Sequence, residues 1–530
     1  MKGGKHQKIV KKRMTIQEEN GIINETTVYP FHQKEGTALE RYLLIAEVSQ
    51  KQGYIFGSNK LQENIQRSAE IRLVTEEAYF KLRAPGLYAP GNMVYSGGGH
   101  TVLEFAAREQ AKSFAEKLTR SVQADFPGME MFVKIMPWDA EKTPSENIKQ
   151  LTKELEAKKS RRASAFHQEA FGLGMDTIKR ETSPEIENLL QQQAYDPSPL
   201  QLVNNFAQIS RNGFIAVVHA DGNAMGARIE ELYKDKEKYA AGESGWQAYR
   251  KTARAFSESI DRDFSDALDA VIEKVRAKYT ALLEQDPAQS DVLPIRKVIQ
   301  AGDDICFVCD GDIGVDCCAE LLKILSEKKN EIDGKPYAAC GGVALVHTKY
   351  PFHKAYDTAE DLCSSAKKYG RMLDADSGIS AIDWHIEYGQ IERDFRESYV
   401  TADGNQLNLR PLTVVDPAGK SSLYRRYALF RQLTLDTQNE QLSSRSKLKQ
   451  LREAMKAGEA ETIKYISFNN MNQLTYVSSI YFTGLSDTKD WKGSVFVACG
   501  PDDHGKKRTL LYDAIELADH YQTLEGGKRE

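Results

Sequence analysis

Two long stretches of the sequence carry the same order of predicted elements, and this recurrence is the feature that most restricts the fold. In the first stretch, the apolar run YLLIAEVS (42–49) predicts a buried strand, and a helical segment follows it. GNMVYSGGGHTVLEF (91–105) then predicts two strands around a tight, glycine-rich turn. An amphipathic helix and the strand MEMFVKIMPW (129–138) complete the order β-α-β-β-α-β.

The second stretch repeats this order after a charged segment. FIAVVHA (214–220) predicts a buried strand that ends at Asp221, a helix-rich region covers 226 to about 285, and KVIQAGDDICFVCD (297–310) predicts a hairpin. A helix, the strand YAACGGVALVH (337–347), a second helix and an edge strand, GISAIDWHI, follow. From about residue 400 onward the periodicity is helical. We therefore divide the chain into an N-terminal extension, a first repeat, a helical linker, a second repeat and a C-terminal helical domain (1–40, 41–138, 139–205, 206–390 and 391–530).

Composition excludes several classes of protein. Hydrophobic residues make up 41% of the chain and charged residues 28%, which is typical of a soluble globular protein. The 71 basic residues are outnumbered by 76 acidic ones, so any contact with nucleic acid needs a local basic patch. The seven cysteines follow no repeating framework, and no apolar run approaches the ~18 residues of a membrane span. We expect a cytoplasmic protein with no membrane segment.

Three carboxylates form the strongest candidate site. Asp303 and Asp304 lie side by side at the tip of an apolar hairpin, where like charges repel each other strongly. Asp221 ends the strand that lies next to this hairpin in a β-α-β-β-α-β sheet. Carboxylate oxygens suit Mg²⁺, which shares its coordination sphere with substrate phosphates. We expect these three side chains to meet at one sheet edge, with no basic side chain between them, as catalytic metal ligands.

Further residues in this region suit a nucleoside triphosphate. The loop Gly222, Asn223, Met225 and Gly226 precedes a helix, and backbone N–H groups at a helix start favour phosphate. Lys367 and Arg371 lie four residues apart on one helix face and are predicted to hold the triphosphate tail. Glycines at the two hairpin tips, Gly302 in the second repeat and Gly97 and Gly98 in the first, complete the predicted nucleotide site.

Each of these signals has a simpler explanation when it is taken alone. An isolated GDD is more often a polar turn than a metal site, and GNAMG alone indicates only a strand-to-helix turn. Cys306 and Cys309 have C-x-x-C spacing, but on a strand they point to opposite faces, so we interpret them as core thiols. For His100 we expect an exposed loop position, and for His219 a strand position that faces a helix.

The combination HADGNAMG, AGDD and AEDLCSSAKKYGR resembles the palm domain of the large, polymerase/cyclase-like subunit of type III CRISPR effector complexes. The same segments are similar, more distantly, to GGDEF nucleotidyl cyclases. YIFGSNKLQEN with YSGGGHTVLEF resembles that subunit's first, non-metal-binding palm, and RSKLKQLREAMKAG is similar to its C-terminal helical domain. The resemblance implies an α+β protein with two ferredoxin-like palm domains and a C-terminal α-helical domain.

The resemblance also implies an activity: synthesis of a cyclic oligonucleotide second messenger from ATP with Mg²⁺ or Mn²⁺, in antiviral defence. Two departures from the family pattern stand in the motifs, since Ala301 replaces the first glycine of the usual GGDD turn and Asn223 replaces the second aspartate of DGD. The sequence contains no His-Asp dipeptide, so we expect a minimal form that lacks the family's HD nuclease.

Three functions remain open at the level of sequence. The first is a nucleotidyltransferase within a guide-RNA complex with other CRISPR effector subunits. The second is a catalytically silent scaffold subunit that merely binds nucleotides. The third is a free-standing cyclase that works as a homo-oligomer without guide RNA.

Overall fold

The first repeat forms a four-stranded antiparallel sheet, the first sheet, with strand order β2-β3-β1-β4. The computed structural model describes residues 41–161, 183–191, 198–286, 291–376, 378–388, 399–471, 474, 495–498 and 506–525, so the predicted extension lies outside it. The elements of the first repeat are β1 (Tyr42–Ser49), α1 (Lys51–Ile55), α2 (Leu61–Leu73), α3 (Glu77–Arg83), β2 (Met93–Gly97), β3 (His100–Phe105), α4 (Arg108–Asp125) and β4 (Glu130–Pro137).

Strand β1 is a continuous apolar run because both of its faces are covered. Leu44 and Val48 pack into a cluster with residues of α2 and α4. The alternate side chains, Leu43 and Ile45, pack on the other face against a helix that follows β4. Alternation along a strand therefore places Glu47 on this second face.

Helices connect the two repeats, and one very long helix lies within the second repeat, after the first strand of its sheet. The elements here are α5 (Pro144–Ser160), α6 (Pro184–Gln191), β5 (Gln201–Leu202), α7 (Phe206–Ile209), β6 (Phe214–Gly222), α8 (Met225–Leu232) and α9 (Glu243–Gln285). Helix α9 has 43 residues and thus a length of about 65 Å. Its apolar residues recur every three or four positions and enter two different cores, Trp246 on the first sheet and Phe264 in the cluster that includes β6.

The second sheet has six strands in the order β12-β11-β10-β6-β9-β8. Its remaining elements are β7 (Val292–Leu293), which pairs with β5, then β8 (Ile295–Ala301), β9 (Asp304–Asp310), α10 (Gly314–Glu327), β10 (Ala339–His347), α11 (Phe352–Leu373), β11 (Ser380–Glu387) and β12 (Leu412–Val415). Four neighbouring strands at one end of this sheet, in the order β8-β9-β6-β10, repeat the arrangement of the first sheet, with β6 in the place of β1. Helix α11 covers the face of β6 that carries His219 and Asp221, because Ile215 and Val217 on that face cluster with α11.

The C-terminal region is mostly helical. It contains α12 (Tyr427–Gln438), α13 (Arg445–Ala457), α14 (Glu459–Phe468), β13 (Val497–Ala498), β14 (Lys507–Arg508) and α15 (Leu510–Leu517). Arg410, fully buried, is surrounded here by acidic groups: its Nε donates to Asp513 at 2.9 Å, and its Nη2 lies 3.8 Å from Glu516. The described residues from 41 onward belong to one unit.

The predicted fold class is confirmed, with two β-α-β-β-α-β sheets followed by a mostly helical region. One detail is wrong: β11 is not an edge strand, because β12 pairs with it on the outside. The six cysteines in the described part of the chain are buried free thiols, as expected for Cys306 and Cys309. Within the same residues, no helix combines the length and the apolar character needed to cross a bilayer.

Candidate active site between the two sheets

Asp303 and Asp304 are presented by a tight hairpin between β8 and β9, which we call the second turn (Ala301–Asp304). Ala301 and Asp304 are the last paired residues, so Gly302 and Asp303 form a two-residue connection. Gly302 has a φ of +67°, the left-handed conformation that such hairpins need. Ala301 ends a strand and is not among the residues with positive φ, which explains why alanine is tolerated in place of the family's first glycine.

The strand end and the turn meet, as the sequence predicts. Asp221 lies directly opposite Asp304 in the antiparallel ladder of β6 and β9. The Gly222 N–H donates to the Asp303 carbonyl at 3.3 Å. A Cβ at Gly222 would lie 2.9 Å from Oδ2 of Asp303, so the absence of a side chain at position 222 is what admits the Asp303 carboxylate.

The crowding of these acids shows in their electrostatics. Burial and the charge of Asp221 raise the pKa of Asp304 to about 7, and the more distant Glu360 adds to the effect. The same two main causes raise the pKa of Asp303. Oδ1 of Asp304 is buried without a hydrogen-bond partner, whereas 43% of the side chain is accessible. A carboxylate that is crowded, partly buried and unsatisfied is one that a cation would stabilise.

Lys367, which is predicted to hold the triphosphate tail, contacts the acid at the strand end. Its Nζ lies 2.5 Å from Oδ2 of Asp221 and donates to the Gly222 carbonyl at 3.0 Å. The expectation that no basic side chain would lie among the carboxylates is therefore wrong at Asp221. This ammonium group contacts a carboxylate and a carbonyl, the two kinds of oxygen that a hard divalent cation also binds.

The oxygen atoms of the three predicted acids suit a hard divalent cation. The oxygens of Asp221, Asp303 and Asp304 are hard ligands, and the unsatisfied Oδ1 of Asp304 is available to a cation. Among the described residues, however, no three His, Cys, Asp or Glu side chains already stand in a metal-binding arrangement. The donor set fits Mg²⁺ or Mn²⁺ by chemistry, and Lys367 contacts one of the two carboxylate oxygens of Asp221.

The other predicted nucleotide ligands have different surroundings. Asn223 is buried and donates through Nδ2 to the Ile379 carbonyl at 2.8 Å, and Met225 is packed in the core. Gly226 has open space where a Cβ would be, and Arg371 is exposed in the last turn of α11. Asn223 and Met225 therefore shape the loop from within, and their role as nucleotide ligands stays a prediction, as it does for Gly226 and Arg371.

The first sheet repeats this geometry with different chemistry. Glu47 lies opposite His100 in the ladder of β1 and β3, as Asp221 lies opposite Asp304. Glu47 precedes a left-handed residue, Gln50 (φ 50°), by three positions, and Asp221 likewise precedes Ala224 (φ 55°).

A lysine completes the parallel. Lys159 lies 2.9 Å from Glu47, and each lysine lies 15 residues after the first residue of its helix, Pro144 of α5 for Lys159 and Phe352 of α11 for Lys367. The two sheets thus share an acid–lysine pair that aligning the repeats would have revealed.

The first turn (Gly97–His100) replaces the aspartates of the second turn by glycine and histidine. Gly98 and Gly99 have positive φ values, and Lys51 donates to the Gly98 carbonyl. Lys51 also lies 3.9 Å from Glu47. Burial and the charge of Lys51 lower the pKa of His100 to about 4, so this histidine is neutral near pH 7. His100 is half-buried rather than an exposed loop residue. Lys51 thus places a cation beside the first turn, whereas the second turn contains two carboxyl groups.

The two turns border one large cavity of about 2000 Å³. Gly97 and Gly98 line it from the first sheet, and Gly302 and Asp304 line it from the second. Single small-molecule sites usually measure roughly 300–1,000 Å³. The cavity therefore has room for more than one nucleotide-sized ligand. Of the three predicted carboxylates, Asp304 is the one that lines it.

A polar bridge crosses between the repeats beside this cavity. Gln52 on α1 donates to Glu360 on α11 at 2.9 Å. Tyr356 on α11 lies 3.4 Å from Nδ1 of His219, whose other neighbour is Oδ1 of Asp304 at 3.5 Å. His219 thus faces a helix, as predicted, and burial lowers its pKa.

Comparison with known proteins identifies the second repeat. Residues 214–373 match the family model described as Cas10/Cmr2, second palm domain. This segment contains all three predicted carboxylates and both predicted basic residues. No match was found among curated protein sequences.

Solved structures share the fold of nearly the whole chain. The Csm1–Csm4 cassette in complex with cA4 matches with a TM-score of 0.53 and 13% identity, covering 91% of this chain and 70% of that chain. The apo Csm1–Csm4 cassette matches at 0.52 and 14%, covering 92% and 71%. Csm1 from T. onnurineus matches at 0.52 and 13%, covering 91% and 69%. Related structures hold AMPPNP or one ATP. At these identities the likeness shows the fold.

Proposed function

We propose that this chain, whose second repeat matches the Cas10/Cmr2 second palm domain, is a nucleotidyltransferase that makes a cyclic oligonucleotide from ATP in antiviral defence. The observation that carries the proposal is the position of Asp304, which lines a cavity between two related sheets and lies opposite Asp221. Structures of similar fold hold ATP or cA4, which supports the choice of substrate and product.

The proposed reaction joins two nucleotides in this cavity. The 3′-hydroxyl oxygen of one nucleotide forms a bond to the α-phosphorus of the other, the bond from that phosphorus to the bridging oxygen breaks, and pyrophosphate leaves. The hydroxyl proton passes to solvent water, and pyrophosphate leaves with the electron pair of the broken bond. Repetition and a final closure give a ring.

The residues have separable roles in this proposal. Asp221, Asp303 and Asp304 would hold Mg²⁺ or Mn²⁺, which when bound lowers the pKa of the attacking hydroxyl and neutralises phosphate charge. Gly302 and Gly98 present backbone without side chains, so phosphate and ribose approach the turns closely. Lys367 would contact a phosphate oxygen of the bound nucleotide if the cation replaced it at Asp221. Arg371, four residues on, extends the same basic helix face.

A second candidate is a scaffold that binds nucleotides without turning them over. The contact between Lys367 and Asp221 favours it, because the lysine neutralises one of the three acids. Structures of similar fold are complexes of Csm1 with Csm4. For this chain, too, we infer a guide-RNA complex with other effector subunits as the working state, with a free-standing homo-oligomer as the alternative.

One experiment separates these candidates. Purified protein is incubated with labelled ATP and Mg²⁺ or Mn²⁺, first alone and then with guide complex and target RNA. Products without RNA indicate a free-standing cyclase, and products only with the complex indicate an effector subunit. Bound ATP with no product under any condition identifies the scaffold and rejects the proposed reaction.

The experiment uses a double substitution in the site and, as its control, a single substitution of an exposed acid. Asp303→Ala with Asp304→Ala should abolish product, by at least about a hundredfold, since electrostatic stabilisation of the transition state is lost. Asp361→Asn removes an exposed carboxylate from α11 and should leave turnover unchanged. Full activity of the double variant would reject the assignment of the site.

A further inference from the structure

Helix α9 contacts the first turn with a single hydroxyl group. Ser257 donates through Oγ to the Ser96 carbonyl at 2.9 Å, at the start of the turn. A Cβ at the next residue, Gly97, would lie 2.9 Å from the same Oγ. The fit leaves no space for a side chain at Gly97, so the turn rests directly on the helix.

One helical turn later, the same helix contacts the second turn. Oδ1 of Asp261 accepts a hydrogen bond from the Gly302 N–H at 3.3 Å. Ser257 and Asp261 are four residues apart and therefore lie on one face of α9. The first contact reaches the first sheet and the second contact reaches the second sheet, and both are at the wall of the cavity.

Asp261 has a second partner that ties it back to the first repeat. Its Oδ2 lies 3.2 Å from Nη2 of Arg72, at the end of α2, and Nε of Arg72 donates to Glu76 at 2.7 Å. One carboxylate thus uses one oxygen for the second sheet and the other oxygen for the first repeat. The side chain is 34% exposed, so solvent does not dominate its surroundings.

The helix itself is fixed at both ends. Toward its start, Trp246 is fully buried against the first sheet and donates through Nε1 to Glu104 at 3.0 Å. Toward its end, Phe264 and Val271 are buried in the core that contains β6 and β9. A helix anchored in both cores cannot shift toward one turn without moving relative to the other.

We propose that Ser257 and Asp261 on α9 are positioning residues that set the distance between the first and second turns. The proposal rests on the proposed function, since that distance fixes how far the 3′-hydroxyl of one nucleotide lies from the α-phosphorus of the other. Reactions between bound partners lose rate steeply when the reacting atoms are displaced by about 1 Å. Asp261 touches neither reacting atom and acts through Gly302 and Arg72.

The test uses three variants of the full chain, assayed for product from ATP under the conditions that activate the wild type. Asp261→Ala removes both contacts. Asp261→Asn keeps an oxygen that accepts from Gly302 and replaces the charge that faces Arg72. Asp266→Asn is the matched control, because Asp266 is exposed on the same helix and pairs with Lys328, away from both turns.

We expect Asp261→Ala to lower kcat by at least about tenfold while KM for ATP changes less than about twofold, because binding contacts remain and alignment is lost. Asp261→Asn should recover part of kcat. Wild-type kcat in Asp261→Ala, or equal rises in KM for all three variants, would overturn the proposal.

A second measurement is independent of catalysis. Amide hydrogen exchange is followed in 299–305 and 95–100 in each variant. In Asp261→Ala the Gly302 turn should exchange roughly 2- to 10-fold faster, the range expected for loss of one hydrogen bond. Ser257→Ala should have the same effect on the Gly97 turn.

The activity assay and amide hydrogen exchange together distinguish failure of the proposed function from failure of the proposed role of α9. If the wild type binds ATP but makes no product, the proposed reaction fails, and exchange alone judges the role of α9. Faster exchange in both turns then supports it. Exchange equal to that of Asp266→Asn overturns it, whether or not product forms.

Discussion

Lys367 lies 2.5 Å from the carboxylate of Asp221, and this ion pair occupies the end of the central strand of the second sheet. Lys159 and Glu47 form the same kind of pair, at 2.9 Å, in the first sheet. In the first repeat, no aspartates stand beside the acid at the turn. In the second repeat, the proposed function requires Asp221 to hold a cation, so we expect Lys367 to compete with that cation for the carboxylate.

The expected competition at Asp221 is testable with a variant that removes the charge of Lys367 and keeps a polar side chain. Lys367→Gln removes the ammonium group, so Mn²⁺ should bind roughly 2- to 10-fold more tightly in the absence of ATP. Product formation should fall, because a cation for the phosphates is lost. Titration of free Mn²⁺ by electron paramagnetic resonance measures the first effect. Lys368→Gln, on the exposed side of the same helix, is the control. Unchanged or weaker Mn²⁺ binding would show that Lys367 does not compete.

The raised pKa of Asp304 predicts a pH-dependent gain in stability when the acid is replaced. Its folded pKa, about 7, exceeds the ordinary value of 3.8, so ionisation costs the folded state increasing free energy from about pH 4 to pH 7. Asp304→Asn should therefore be more stable than the wild type above pH 7 without metal, by roughly 1 kcal/mol after allowance for solvent screening.

Urea unfolding in EDTA at pH 8 and pH 4.5 measures this difference. The gain should shrink at pH 4.5, where the wild-type carboxyl is largely protonated in the folded state. A variant less stable than the wild type at pH 8 would contradict the electrostatic explanation.

A substitution at Gly222 tests the importance of the Asp303 position without removing any charged group. In Gly222→Ala the new Cβ would lie 2.9 Å from Oδ2 of Asp303 and 2.8 Å from Cε of Met225, so the carboxylate must shift. We expect product formation to fall by at least about tenfold, while the free energy of unfolding falls by no more than about 1–3 kcal/mol. Gly91→Ala adds its methyl group in open space and serves as the control. Wild-type turnover in Gly222→Ala would contradict the assignment of Asp303 to the catalytic site.

The buried cluster around Arg410 predicts a large loss of stability. Arg410→Met keeps much of the volume but leaves Asp513 and Glu516 buried without their cation. Breaking a buried pair in this way costs about 3–5 kcal/mol. Chemical denaturation followed by circular dichroism measures the loss. Lys464→Met, an exposed pair with Glu461 on α14, should change stability by less than about 1 kcal/mol. Similar values for the two variants would contradict the importance of the buried cluster.

Much of the architecture follows from local patterns. The apolar runs at 42–49 and 214–220 predict buried strands, and both faces of β1 and β6 are indeed covered. A glycine at position 302 predicts a tight hairpin, and this residue has the positive φ that such a hairpin needs. Since strand order in a β-α-β-β-α-β sheet is nearly fixed, the meeting of Asp221 with Asp304 follows as well.

What local patterns do not determine is long-range pairing. Strand β12 has only four residues, and its partner β11 lies more than 20 residues earlier in the chain, so a helical reading of the region past 400 misses it. The contact of Asp261 with Gly302 depends on how a 43-residue helix is registered against two sheets. Whether Lys367 contacts Asp221 or a bound phosphate depends on its side-chain rotamer, which local sequence patterns do not determine. The equivalence of Glu47 with Asp221, by contrast, can be predicted by aligning the two repeats.

Both turns that border the large cavity belong to one polypeptide, and α9 joins their sheets. In the proposed reaction, the donor and acceptor nucleotides would therefore bind to the same chain, and a second copy would not be needed to build the cavity. We then expect specific activity per chain, measured with guide complex in excess, to stay constant on serial dilution, in contrast to enzymes whose cavity is built by two copies that separate at low concentration.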